Sequence, residues 1–160
     1  MSRKYLVAIV FSLSIGAPAP AASFECIPTA VVTDFYEKDV SLQKPDFSAY
    51  NLEDQYEIFI YGNICIEPPK MQLAVEMARR GEDAVNFLEQ KLGKSDDVGT
   101  IISIIRVFSF MTALDSYDVA GDDGLMTSMQ SAVNGMEDGF WKRNSQDLLD
   151  ELAANRKSGK

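Results

Sequence analysis

The segment from residue 96 to residue 111 constrains the fold more than any other. Asp96 and Asp97 suit a helix start, and Ile101, Ile102, Ile104, Ile105, Val107, Phe108, Phe110 and Met111 follow with few polar breaks. At 3.6 residues per turn these side chains cover nearly every side, and a helix apolar all round belongs at the centre of other elements. Arg106 interrupts the run, which is shorter than the roughly 20 apolar residues a bilayer crossing needs. The rest of the chain must therefore supply amphipathic elements that enclose this rod.

Helical spacing supplies them. Residues 29–40 place Val31, Val32, Phe35 and Tyr36 on one face, and residues 41–50, with Lys44-Pro45-Asp46, read as loop. Asn51 with Asp54 forms a capping pair ahead of Tyr56, Phe59, Ile60 and Ile64. Residues 56–66 are also rich in β-branched and aromatic side chains, which leaves a strand open there. Pro68-Pro69 then introduces a helix over residues 71–80, with Leu73, Ala74, Met77 and Ala78 inward and Gly81 as its C-terminal cap. Glu82-Asp83 open the next helix, with Val85, Leu88 and Leu92 buried and Gly93 closing it. Leu125, Met129, Val133 and Met136 make a further stripe, broken at Asp138-Gly139. Phe140-Trp141 lead into a last helix over residues 147–155, where Leu148, Leu149 and Leu152 pack.

Helices joined by short turns pack as antiparallel neighbours, so the fold class is all-α. Gly81-Glu82-Asp83-Ala84-Val85 is echoed by Gly121-Asp122-Asp123-Gly124-Leu125 at an offset of 40, and Leu88 and Leu92 by Met129 and Val133 at an offset of 41. That period falls in the range of HEAT and armadillo units, and in this respect residues 68–155 resemble a HEAT-like array of helix pairs. An irregular helical bundle is the alternative.

The first residues read as a secretory signal. Arg3 and Lys4 precede an apolar core over residues 5–15, and Ala19-Pro20-Ala21 has the A-x-A form of a cleavage site. The cut is expected after Ala21, with Ser23 as the second candidate. Ser23-Phe24-Glu25 ahead of Cys26 lacks the small and aliphatic residues of a lipobox, so no lipid anchor is expected. The organisation reads as a signal peptide over 1–21, a helical segment over 22–67, the HEAT-like region over 68–155 and a frayed tail over 156–160. The expected location is periplasmic or secreted. An oxidising compartment lets Cys26 and Cys65 pair, whereas two thiols in a chain without histidine are a poor metal set.

Cleavage removes two cations and no acid from a net charge of −9, leaving −11. Such a surface repels phosphate backbones and anionic headgroups, so neither nucleic-acid binding nor membrane insertion after signal cleavage is expected.

Polar groups concentrate in Tyr117-Asp118-Val119-Ala120-Gly121-Asp122-Asp123-Gly124. No register meets the calcium-loop pattern of acids at positions 1, 3 and 5, glycine at 6 and glutamate at 12. A non-standard cage from Asp118, Asp122 and Asp123 is the weaker candidate. Helix capping is the favoured reading, with Gly121 at a positive backbone angle and Asp122 or Asp123 accepting from the free amides of the next helix.

Without histidine the chain lacks the commonest general base and both Ser-His and Cys-His pairs. Ser41-Leu42-Gln43-Lys44 spells S-x-x-K, but Pro45 follows at once and the partner motifs are missing. Glu57 and Glu67 flank an apolar stretch and could serve a two-carboxylate glycan hydrolase; solvated surface acids are the simpler reading. Phe47 and Tyr50, in a polar loop, and Trp141 are the candidate contact residues, because Tyr and Trp combine large area with a polar tip. The expected function is non-catalytic, cofactor-free binding of an extracytoplasmic protein of basic or mixed charge. The alternatives are an inhibitor or immunity-type protein and the glycan hydrolase.

Overall fold

The computed structural model describes residues 25–40 and 45–156. The proposed signal over 1–21, the S-x-x-K at 41–44 and residues 157–160 lie outside them. Within the described residues the chain is all helix, without a strand. It forms α1 (Ala30–Val40), a 3-10 turn (Phe47–Ala49), α2 (Leu52–Ile64), α3 (Met71–Ala78), α4 (Glu82–Lys94), α5 (Val98–Ala113), a second 3-10 turn (Val119–Gly121), α6 (Asp123–Gly135) and α7 (Phe140–Ala154).

Local chemistry explains most starts. Asn51 Oδ1 accepts from Asp54 N at 3.0 Å while its Nδ2 donates to the Asp54 carboxylate at 2.7 Å. This reciprocal cap starts α2 as a helix and settles the strand alternative. Asp97 caps α5 through Thr100 N at 2.7 Å, and Asp122 caps α6 through Leu125 N at 3.0 Å. Gly81 ends α3 and opens α4 at φ +56°, and a Cβ there would lie 2.6 Å from Ser116 O, so only glycine fits.

Three sequence expectations need correction. Gly93 does not close α4, which runs on through Lys94; nothing lies within 4 Å of its missing side chain. Gly121 is not at positive φ; it is needed because a Cβ would sit 2.5 Å from an Asp118 carboxylate oxygen. The last helix begins at Phe140 rather than 147.

Around α5 the architecture is layered. It packs mainly against α3 and α7 and also touches α2, α4 and α6, while α4 and α6 pack on each other. Ile104, Ile105, Val107, Phe108 and Met111 are completely buried. Burying each such side chain contributes about 1.5–3 kcal/mol, so α5 is the principal source of apolar stabilisation. On its half-buried side, Ser109 and Thr112 donate back to the carbonyls of Ile105 and Phe108, which satisfies their hydroxyls without a solvent partner.

The N-terminal part is attached differently. α1 rests on α2, and the Cys26–Cys65 disulfide joins the chain ahead of α1 to the end of α2 across a sequence separation of 39. α2 in turn reaches α4 through the edge-on rings of Tyr56 and Phe87 and the Lys91–Glu53 ion pair. No helix among the described residues is long and apolar enough to cross a membrane.

Candidate functional site

Of the three aromatic candidates, Phe47 is buried and Tyr50 is half-buried. Phe47 is 7% exposed and meets the Phe35 ring edge-on at 6.0 Å. Its carbonyl accepts from the buried Gln55 side chain at 2.7 Å. Tyr50 also packs edge-on against Phe35, and its hydroxyl donates to Asp34 at 3.1 Å. The loop therefore has a core of its own, supplied by α1, and Phe47 presents little surface in the free chain.

The acidic loop resolves into caps. Asp118 accepts from Gly121 N at 3.1 Å. Asp122 accepts from Leu125 N through one oxygen and from the Tyr117 hydroxyl, at 2.7 Å, through the other. Asp123 forms an ion pair with Arg156 at 3.0 Å. The Leu125 amide and then the Tyr117 hydroxyl hold Asp122 below the usual carboxylate range. In return the bond to Asp122, then burial, pushes the Tyr117 phenol up to about 12. With oxygens spent this way the three aspartates do not converge, and no cluster of acids or thiols among the described residues is arranged to hold a metal. Asp118 and Asp122 thus serve as local caps and Asp123 as an ion-pair partner. Glu57 accepts from the Thr29 hydroxyl at 2.7 Å, and Glu67 is exposed beyond the end of α2.

Trp141 behaves differently. In α7, Ser145, Leu149 and Leu152 form the inward stripe, and Trp141 lies one turn before Ser145 on the same side. At this start of α7, Trp141 is 50% and Phe140 64% exposed. Their rings meet edge-on at 5.0 Å. Beneath Trp141 runs a groove of about 410 Å³ bordered by Asn63, Ile64, Pro69, Ile102 and Arg106. Gly99 opens its floor, because a Cβ there would press on Ile64 Cδ1 at 3.2 Å.

Two polar groups in this groove are poorly served. Neither the nitrogen nor the oxygen of the shielded Asn63 carboxamide has a hydrogen-bond partner. Among the described residues, Arg106 donates only to the Met71 thioether at 3.9 Å, a weak acceptor. Sequence reasoning picked out Trp141 by residue type but missed Asn63, Arg106 and Phe140. Arg106 carried a signal: it is the one cation in an apolar helix, on a stripe with Gly99, Ile102 and Ser103. A larger hollow of about 560 Å³ lies between α4 and α6, where Ser128 donates to Glu89 at 2.5 Å.

Comparison with known proteins returns no match, whether to a family model, to a curated protein or to a solved structure.

Proposed function

We propose that the chain is an extracytoplasmic, non-catalytic protein-binding module, exported by its first 21 residues and holding its partner over the Phe140–Trp141 end of α7. The observation that carries this reading is the adjacent exposed aromatic pair at the rim of a groove that contains a guanidinium. The few residues that dominate binding at protein interfaces are enriched in tryptophan, tyrosine and arginine, and contiguous exposed apolar surface marks interaction sites. The disulfide is compatible with an oxidising compartment. Helices two apart in the chain lie side by side, as α3, α5 and α7 do. Stacked helix pairs of this sort present extended surfaces for partners. The acidic exterior favours a partner of basic or mixed charge.

The test is cross-linking of the oxidised protein in extract of its own compartment, read by mass spectrometry. One dominant protein partner is expected, with recovery falling about tenfold or more for the Phe140→Ala/Trp141→Ala double variant. Undiminished recovery by that variant, or no protein above background, sinks the reading. A captured enzyme that is silenced in the complex would make the binding inhibitory.

A further inference from the structure

The Trp141 groove combines three chemistries that one residue of a ligand can meet together. Arg106 offers a positive charge. In a chain with 24 acids against 15 bases, no carboxylate among the described residues forms an ion pair with it. Such a guanidinium, beside Ile102 and Trp141 rather than in open water, favours a carboxylate held by paired N–H donors. Asn63, on the border of the groove, holds a carboxamide donor and acceptor that are shielded and without a partner among the described residues, so a ligand meets them once the side chain turns outward. A peptide unit presents the complementary acceptor and donor. Ile64, Ile102 and the Trp141 ring offer an apolar wall.

Resting on the protein-binding reading, we infer that this groove takes the carboxyl terminus of a partner polypeptide ending in an apolar residue. An internal Asp or Glu would spend its side chain on Arg106 and leave nothing of its own for the Trp141 wall. A terminal residue gives its α-carboxylate to Arg106, its peptide unit to Asn63 and its side chain to Trp141 and Ile102. The dimensions agree. The stripe from Gly99 to Arg106 rises about 10 Å along α5, which is the length of about three extended residues. A groove of about 410 Å³ lies within the range of small-ligand sites of roughly 300–1,000 Å³. The carboxylate therefore sits at the Arg106 end, and the ligand chain leaves over Gly99.

The test uses the oxidised chain and an array of random hexapeptides, each made as free acid and as C-terminal amide. Binders are titrated through the fluorescence of Trp141, the single tryptophan of the chain. Free acids with an aliphatic or aromatic last residue are expected to bind, with their amides at least about tenfold weaker. Arg106→Gln should bring free acids down to the level of their amides and leave the amides unchanged, while Arg106→Lys restores part of the difference. Asn63→Ala should weaken both forms, and circular dichroism and thermal melts confirm that each variant folds. Equal binding of acids and amides, or an Arg106→Gln loss that ignores the carboxylate, overturns the inference and leaves the protein-binding reading intact. Tighter binding of laurate than of any peptide also overturns it, by assigning the groove to amphiphilic acids. So does an array without binders; a partner still captured by cross-linking would then keep the broader reading alive.

Discussion

At the residue scale, the Tyr117–Asp122 pair ties stability to pH at both ends. Asp122 has its folded pKa lowered from 3.8. Its contribution is therefore present above that value and lost as pH falls through the depressed folded one. Tyr117 has its folded pKa raised from 10.0 to about 12, so its contribution is complete below 10 and lost as pH climbs towards 12. Tyr56, raised to about 12 mainly by burial, adds to the same alkaline loss. Thermal melts from pH 3 to 12 should show a plateau with two falling limbs. Tyr117→Phe should flatten part of the alkaline limb and leave the Tyr56 part, and Asp122→Ala should cost about 1 kcal/mol at neutral pH through the lost cap. An unchanged alkaline limb in Tyr117→Phe would count against the pairing.

At the element scale, α1 is held by α2, by the Phe47–Tyr50 loop and by the disulfide ahead of it. Closing a loop with a separation of 39 stabilises the folded state by roughly 3–4 kcal/mol through loop entropy. Reduction should lower urea-denaturation stability by about that amount, and hydrogen exchange should show α1 amides opening before those of α5. Uniform loss of protection along the chain would refute the idea that α1 is separately attached. What the sequence made legible at this scale follows from range. The caps at Asn51, Asp97 and Asp122 each act on an amide three residues away, so the local pattern revealed them. The early start of α7 was hidden because its inward stripe passes through Ser145, a polar residue at a buried position, which interrupts the apolar period. The burial of Phe47 comes from Phe35 on another element and so leaves no trace in the loop's own sequence. The groove draws Asn63, Arg106 and Trp141 from α2, α5 and α7, and no local pattern records that meeting.

At the scale of the whole molecule, the position of α5 decides how the chain can be taken apart. A repeat array is nearly a sum of units, each touching its neighbours, and loses them one by one. Here α5 is enclosed by α2 and α3 from before it in the chain and by α6 and α7 from after it. A fragment ending at residue 113 would bare the flank that α7 covers, and one starting at residue 98 would bare the flank that α3 covers. Calorimetry of the oxidised protein should therefore give one transition with equal calorimetric and van't Hoff enthalpies, and two resolved transitions would show separable units. A single transition would mean that the apolar rod of α5 binds the segments before and after it into one cooperative unit, so that insertions are better tolerated in the turns than within the helices that touch it.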